Sequence, residues 1–542
     1  MVSTGKILPT GAGPGFSDTE KIIARLLEFF HRRKPWHRRL WGIGTVFALD
    51  EVGEYGHLCL DGAHQTADGL KFVVGTTRRE VQRDPGLSDL AGELDAVLAQ
   101  LHVASPGKVK PGVIAELEHL ARRATDGYLA SWSQAHAPTP VEFASRALAS
   151  HLLDRGFSGD HLHRWLSAKS SSIGTVADLA QLADEMVREM PPRSYAVFVP
   201  CARPRIGKAD GGGQDPWLDG PAAAQWLASK VPGNESRRHN GGFVYSVTAR
   251  DPWAAVDSAL EMFHRTASRV RVARATGDEL RPDGWIRVAG VERADFEART
   301  PRRQVEIGSL ERQGVVYDVD RASQSPIDDA LELASYLEGT GTGAAVIGGW
   351  AAIEGLLIRP AEGSHYLAAD RLASLVACSV PRAELTPLSY AHEASAQDAL
   401  ASDLKIADSN RGRVELVEAH LATTPTLNLE RAEDAAALDR VVSMMKDPRS
   451  ELDRVKTYVT ESLRRLYNQR NLVMHAGTTA SVVLDATLRT APSLVGAGLD
   501  RLAHAHFSSG GKADPLDLVA RAEVELRLAG TPGGRTLATL LE

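Results

Sequence analysis

The chain has 542 residues, 43% hydrophobic and 24% charged, which is enough for about three packed units rather than a single core. Its formal net charge of −7 argues against a protein that coats nucleic acid non-specifically, because such binding needs Lys and Arg to neutralise phosphates. There is no run of 18 or more apolar residues and no apolar signal core at the N-terminus. The sequence therefore predicts a cytoplasmic protein without a membrane partner.

The three cysteines, Cys59, Cys201 and Cys378, lie far apart in unrelated segments. Their spacing offers no metal-ligand set and fits a reducing compartment. We expect them to be small buried side chains, and we expect no metal and no cofactor.

The first part of the chain, residues 1–190, is predicted to be mixed and then helical. The β-branched and aromatic content of Trp41–Leu49 and Leu70–Gly75 is typical of short strands. From Leu87 to about Met190, apolar residues recur at helical spacing. These patterns predict a small mixed α/β unit followed by helices.

Two features of this part suggest contact with nucleic acid. The basic cluster His31–Arg39 contains Trp36, and Leu148–Leu166 has the pattern of a helix-turn-helix around Gly156. The second helix of that pair, His161–Lys169, carries little positive charge. A solvated helix end and an ordinary helical hairpin are the favoured interpretations, and a nucleic-acid-binding regulator is kept as an alternative function.

Residues 191–322 are predicted to form an α/β domain. Strand and helix signals alternate here, at Ser194–Val199, Gly242–Ala249, Asp251–Arg274 (the helix) and Trp285–Ala289. The Gly-rich segment Gly207–Gly213 is expected to be flexible.

From Ser325 onward the strand signals stop. Helices are predicted over Ile327–Leu337, Gly343–Ile358, Ser364–Val380, Arg411–Ala422, Ala432–Met445, Glu451–His475, Ala480–Phe507 and Pro515–Leu528. Residues 323–542 are thus expected to be an all-helical domain. The predicted fold class is an α+β multidomain chain, with mixed and helical N-terminal regions ahead of an all-α bundle.

One stretch of this helical domain, Leu466–Gly477, has the residues for metal-independent RNA cleavage. It contains Arg470 and His475, a cation for the phosphorane charge and a base for the ribose 2′-hydroxyl proton. The spacing alone is a weak signal, because it occurs four times, at Arg32/His37, Arg146/His151, Arg470/His475 and Arg501/His506. Only the third pair has an asparagine, Asn471, directly after the arginine.

The apolar stripe of the helix from Glu451 ends at Leu466, and Arg470 takes the next four-residue step, so we expect this arginine to point inward. His475 lies about 140° around the helix from Arg470. The two side chains would not meet on one straight helix. Either the helix ends before His475, or two chains pool their residues in a dimer.

A second irregularity is Glu354, which sits one turn after Trp350 in an otherwise apolar helix. An unpaired buried carboxylate is costly. We therefore expect Glu354 to pair with Arg470, either as a structural ion pair or as a group that aims the arginine at a substrate.

Three segments together resemble the HEPN superfamily, and most closely its Apea-like branch: R-L-Y-N-Q-R-N-L-V-M-H-A-G at Arg465–Gly477, G-G-W-A-A-I-E-G-L-L at Gly348–Leu357, and Ala368–Leu385. The resemblance covers about residues 325–510. It implies a helical bundle that dimerises, places two motifs across one cleft, and cuts RNA without metal to leave a 2′,3′-cyclic phosphate.

Carried over by position, the resemblance makes Arg470 and His475 the catalytic pair, with Asn471 beside the arginine. Glu354 and Tyr467 are supporting candidates. The segment from about Thr386 to Arg449 is long for a minimal bundle of this family, so we expect it to reshape the dimer or to cover the cleft.

The function expected from these observations is a toxic RNA endonuclease of bacterial antiphage defence, acting by abortive infection. Its partners would be an RNA substrate, a second copy bound through the C-terminal helical domain, and a phage-derived trigger sensed by the N-terminal regions. A non-catalytic scaffold or assembly module is the alternative within the same resemblance, since the family includes inactive members.

Overall fold

A computed structural model describes residues 15–61, 67–103, 108–135, 139–202, 217–232, 240–274, 280–292, 296–297, 303–318, 325–339, 341–477 and 479–542. The Gly-rich segment Gly207–Gly213 lies outside these residues. Within them the chain is mostly helical with one small antiparallel sheet, which confirms an α+β class with helices predominating.

The described residues of the N-terminal region, defined here as residues 15–190, form helices joined by loops, with no strand. Its helices are α1 (Asp18–Phe30), α2 (Thr45–Leu60), α3 (Ala67–Val81), α4 (Ala91–Val103), α5 (Pro111–Gln134), α6 (Val141–Asp154), α7 (Gly159–Lys169) and α8 (Val176–Glu189). Side-chain caps start several of them, as at Ser17, whose hydroxyl accepts a hydrogen bond from the Glu20 main chain.

The strands predicted at Trp41–Leu49 and Leu70–Gly75 are wrong, because these residues lie in and before α2 and within α3. The apolar residues that suggested strands are buried at helical spacing, including Leu49 and Val52 in α2 and Leu70 and Val73 in α3. Packing of these faces against other helices therefore outweighs the strand preference of β-branched residues.

The sheet region, residues 193–297, follows. Its elements are β1 (Arg193–Pro200), β2 (Trp217–Asp219), α9 (Gly220–Lys230), β3 (Gly241–Ala249), α10 (Pro252–Arg274), β4 (Trp285–Val288) and β5 (Phe296–Glu297). The strand order is β2-β3-β1-β4-β5 and every pairing is antiparallel. β1, β3, α10 and β4 lie where the sequence predicted them, whereas β2, α9 and β5 were missed.

The C-terminal bundle, residues 325–542, is preceded by the short helix α11 (Ser309–Arg312). Its helices are α12 (Pro326–Gly339), α13 (Thr342–Leu357), α14 (Leu367–Ser395), α15 (Ala399–Ile406), α16 (Asn410–Thr423), α17 (Ala432–Lys446), α18 (Pro448–Ala476), α19 (Leu484–Ser508) and α20 (Pro515–Leu528). α14 is central and packs against α13 and every helix from α15 to α20. The segment 386–449 forms the end of α14 together with α15, α16 and α17.

Buried apolar residues form one large cluster in the N-terminal region, two in the sheet region and one in the bundle. Two of these buried residues pack in the cluster of a region other than their own. Trp41 packs in the bundle cluster and Leu472 of α18 packs in the N-terminal cluster. The N-terminal region and the bundle therefore share apolar contacts at two places.

A network of buried charges also joins the N-terminal region to the bundle. Arg25 of α1 is fully buried, with Nη1 2.7 Å from Oε2 of Glu28 and Nε 2.9 Å from Oε2 of Glu142. Arg38 bridges Glu28 at 3.0 Å and Asp434 of α17 at 3.3 Å. Charges removed from water in this way must be paired to be tolerated.

The three cysteines are buried, which confirms that prediction. Burial raises the pKa of Cys201 and of Cys378 to about 12. Among the described residues, no helix is long and apolar enough to cross a membrane.

Candidate active site

The candidate residues lie at the C-terminal end of α18. This helix starts at Asp447, whose carboxylate accepts a hydrogen bond from the Ser450 main chain, with Pro448 in the first turn. It ends at Gly477, which adopts the left-handed conformation with φ 64° that glycine allows at a helix end. The helix thus continues past His475, so Arg470 and His475 occupy one unbroken helix.

The apolar stripe of α18 is buried as predicted, with Leu452, Val459, Leu463 and Leu466 fully enclosed. The expectation that Arg470 is buried behind it is wrong, because this side chain is only partly enclosed.

Arg470 and Asn471 are in direct contact, since Nη1 of Arg470 donates a 3.0 Å hydrogen bond to Oδ1 of Asn471. His475 lies one turn beyond Asn471 on the same helical face and is exposed. Asn471 is therefore the residue between the arginine and the histidine. No carboxylate of the described residues lies within ion-pair distance of Arg470.

The predicted pair of Glu354 and Arg470 is not formed. Oε1 of Glu354 lies 2.5 Å from Nδ1 of His365 instead, and its side chain is 22% exposed. The cause is the register of two helices. Trp350 packs on Tyr467, and a side chain at Gly343 would reach Val473, so α13 and α18 run antiparallel.

In that register Glu354 lies one turn past Trp350 towards the start of α18, and Arg470 lies almost one turn past Tyr467 in the other direction. At 1.5 Å per residue, the two positions are about 10 Å apart along the helix axis. Glu354 therefore does not orient Arg470 within one chain.

Tyr467 belongs to a cluster of rings shared by three parts of the bundle. Its ring centroid lies 4.8 Å from that of Trp350 and 4.7 Å from that of Tyr366, and His365 stacks on it at 6.4 Å. Burial raises the pKa of Tyr366 to about 12. His365 and Tyr366 were not among the candidates predicted from the sequence, although both come just before the segment Ala368–Leu385.

The N-terminal region contacts α18 at Glu461 and Arg465, nine and five residues before Arg470. Nε of Arg465 lies 3.0 Å from Oε2 of Glu51 in α2, and Arg79 of α3 lies 2.6 Å from Glu461. Beyond the end of α18, the Ser481 hydroxyl donates to Glu54 of α2 at 2.8 Å. The candidate residues thus lie between two contacts that tie the bundle to the N-terminal region.

Arginines of the basic cluster His31–Arg39 form ion pairs within the protein. Arg32 pairs with Asp160 of α7, and Arg38 is buried among carboxylates. Leu162 and Leu166 of the proposed recognition helix are buried. These contacts favour the helical-hairpin interpretation over a DNA-reading surface.

The exposed end of α18 carries two groups that can act on a phosphodiester bond. An imidazole can exchange a proton with a ribose hydroxyl, and a guanidinium can bind two phosphate oxygens. Within the described ranges, no three His, Cys, Asp or Glu side chains are grouped so as to hold a metal ion.

The chain was compared with known proteins at the level of families, curated sequences and solved structures. No protein family, curated protein or solved structure matches it.

Proposed function

We propose that this protein is a HEPN-type RNA endonuclease of bacterial antiphage defence that cuts RNA without a metal ion. The observation that supports this most is the hydrogen bond from Arg470 to Asn471 beside an exposed His475 at the end of α18. A guanidinium held by a neutral amide keeps its full charge for a phosphate, which a carboxylate partner would reduce.

In the proposed reaction, His475 takes the proton of the ribose 2′-hydroxyl, and the 2′-oxygen forms a bond to phosphorus. The bond from phosphorus to the 5′-oxygen breaks, and that oxygen takes up a proton. The products are a 2′,3′-cyclic phosphate and a 5′-hydroxyl. Arg470 stabilises the extra negative charge on the phosphorane, and Asn471 fixes the guanidinium.

The proposal includes a homodimer formed through the C-terminal bundle. Because α18 continues to Ala476, the 140° between Arg470 and His475 is not removed by a helix end. Two copies of the helix, facing one another, can place Arg470 of one copy beside His475 of the other.

Regulation is assigned to the N-terminal regions. α2 and α3 pair with Arg465 and Glu461 on the helix that carries the site, so a shift of the N-terminal region would move or release α18. A phage-derived trigger that binds residues 1–322 would act through these contacts. Cleavage of RNA in the infected cell then stops phage production, which is the outcome of abortive infection.

The first experiment is cleavage of end-labelled RNA by the purified full-length protein in EDTA. Wild type is expected to cut, and Arg470→Ala and His475→Ala are expected not to. Arg454→Ala is the matched control, since Arg454 is a half-exposed arginine of the same helix that pairs with Glu451. A substrate with 2′-deoxyribose at the cut position should resist.

Two further outcomes decide between this proposal and its alternative. A mixture of Arg470→Ala and His475→Ala proteins should regain activity if each site combines residues from two copies. Full activity in both single variants would reject the assignment. Absence of cleavage by wild type, with stable dimers and no toxicity on expression, would favour a non-catalytic scaffold.

A further inference from the structure

An aromatic surface lies beside the candidate active site and takes no part in the proposed chemical step. Four rings form a cluster, named here the ring cluster: Trp350, His365, Tyr366 and Tyr467. Arg470 follows Tyr467 by three residues on α18, and positions three apart on a helix are neighbours on its surface. The ring cluster therefore adjoins the guanidinium that is proposed to bind the scissile phosphate.

The inner rings of the ring cluster belong to the packing of the bundle. Trp350 is fully buried, and its ring centroid lies 4.8 Å from that of Tyr467. Tyr366 meets Tyr467 edge-on, with centroids 4.7 Å apart and ring planes at 68°. These two contacts fix the plane of the Tyr467 ring.

His365 is the outer ring of the ring cluster, and it differs from the others in exposure. Its side chain is 54% accessible to solvent, whereas Tyr366 and Tyr467 are partly enclosed. Its ring is nearly parallel to that of Tyr467, with an interplanar angle of 17° and centroids 6.4 Å apart. A side chain this open adds little to the core, so packing alone does not explain an aromatic ring at this position.

Two contacts set the orientation of the His365 ring. Oε1 of Glu354 lies 2.5 Å from Nδ1 at one edge of the imidazole. Tyr467 stacks on the ring. The accessible surface of the imidazole is thus presented in a fixed orientation. Proteins hold the unstacked bases of single-stranded nucleic acid on aromatic side chains of this kind.

His365, Tyr467 and Arg470 follow one another along α18. Glu354, the partner of His365, lies towards the start of α18 from Tyr467, and Arg470 lies towards its end. The step from the His365 ring to the Tyr467 ring is 6.4 Å. The step from Tyr467 to Arg470 is about 5–6 Å, the usual spacing of side chains three apart on a helix. A strand with its phosphate on Arg470 can therefore bring a neighbouring nucleotide to His365.

The charges near the ring cluster favour a base over a phosphate. Three carboxylates lie near it, those of Asp68, Glu354 and Asp370. Asp370 is paired with Arg464 at 2.8 Å. Carboxylates repel a phosphate and leave an uncharged base unaffected. Arg470, about 10 Å from Glu354 along the helix axis, holds the phosphate in the proposed reaction.

We infer that the ring cluster binds a base of single-stranded RNA, carried by a nucleotide next to the cut. The base stacks on His365 while Arg470 holds the neighbouring phosphate. A duplex keeps its bases stacked on one another, so it has no free base to place on the ring. The inference rests on the proposed function and names its substrate as a single strand.

Binding is measured with a short RNA in which every ribose carries a 2′-O-methyl group, because this RNA lacks the hydroxyl needed for cleavage. Fluorescence anisotropy with the wild-type full-length protein gives the Kd of the single strand and of its duplex at one salt concentration. The single strand is expected to bind about tenfold or more tightly. Equal or tighter binding of the duplex would overturn the inference.

Variants then test the ring itself. His365→Ala should weaken binding of the single strand about tenfold, because stacking of a base is lost. His365→Phe keeps a ring and should bind within about twofold of wild type. His504→Ala, at an exposed histidine of α19 that contacts Gln313, is the matched control and should bind like wild type. Unchanged binding by His365→Ala, or His365→Phe as weak as His365→Ala, would reject the stacking site.

An abasic nucleotide locates the base. Moved one position at a time along the strand, it should weaken binding by wild type at one position and cause no further loss there in His365→Ala. Additive losses at every position would overturn the inference. None of these measurements requires cleavage. A wild-type protein that shows this coupling but cuts no RNA would reject the nuclease and keep the single-strand site, and cleavage without the coupling would do the reverse.

Discussion

Two arginines five residues apart on α18 have opposite surroundings. Arg465 is 5% exposed and pairs with the fully buried Glu51 of the N-terminal region at 3.0 Å. Arg470 is partly exposed, and its hydrogen-bond acceptor is the neutral amide of Asn471. The charge of Arg465 is thus compensated by a carboxylate of the protein. Arg470, on the same helix, is held in place by a neutral amide instead.

This difference in surroundings indicates a structural role for Arg465 and a chemical role for Arg470. A buried arginine facing a buried carboxylate cannot be removed without leaving a charge stranded in the interior. An arginine held by an amide near the surface can be removed at little cost to folding, and its charge is available to an anion such as a phosphate. The two positions should therefore respond differently to the same substitution.

The largest expected effect is on RNA cleavage at the exposed end of α18. His475→Ala should lower the rate by roughly 10²–10⁴-fold, the range typical for loss of a general acid or base. Arg470→Ala should have an effect of the same order. Neither should change the midpoint of urea unfolding, because both side chains lie outside the buried core. Equal losses of stability and activity would mean that this end of the helix is structural.

The next effect is on stability and concerns Arg465. Arg465→Ala should lower the free energy of unfolding by about 3–5 kcal/mol, because Glu51 is left buried without its counter-charge. Replacing both partners, as Arg465→Met with Glu51→Leu, should restore most of the loss. Urea unfolding followed by circular dichroism measures all three proteins. A single variant as stable as wild type would contradict the structural role.

A third test concerns His37, a buried residue of the N-terminal region whose protonation is influenced by Glu384 of the bundle. Burial lowers the pKa of His37 to about 4; Glu384 opposes the shift and nearby arginines add to it. Between pH 6.5 and 4 the unfolded chain binds a proton that the folded chain does not, so stability is lost as the pH falls.

The size of this loss follows from the shift of about 2.5 pKa units, which corresponds to at most about 3 kcal/mol by pH 4. His37→Leu should remove it, so the stability of wild type should fall relative to this variant as the pH drops from 7 to 4. The exposed His102 provides the matched substitution, His102→Leu. A constant difference between wild type and His37→Leu across this range would refute the assignment.

How far the sequence predicts this molecule depends on the range of the interactions involved. Apolar spacing located three of the strands and the bundle helices other than α15, because each face is encoded locally. It failed at Leu70–Gly75, where helical and strand patterns are both present over a short run. There the choice is made by packing against α2 and α4.

The contacts around the candidate site also differ in how far apart their residues lie in the sequence. Asn471 beside Arg470 is a neighbour in sequence, and their hydrogen bond follows from that closeness. The contacts of Glu51 with Arg465 and of Glu354 with His365 join residues that lie far apart in the chain or follow a turn. The register of α13 against α18 cannot be predicted from the sequence alone. The pairing of Glu354 with Arg470, which was predicted from their opposite charges, was therefore wrong.

The smallest expected effect is that of Glu354→Gln. Its pair with His365 is partly exposed, with 22% of the Glu354 side chain and 54% of the His365 side chain accessible, and such pairs contribute less than about 1 kcal/mol. At about 10 Å from Arg470, one charge acts with only about 0.4 kcal/mol in a water-like dielectric, so cleavage should change by roughly twofold or less. Labelled-RNA cleavage and urea unfolding measure both quantities. A loss of tenfold or more with unchanged stability would mean that a second copy brings its Glu354 to the site.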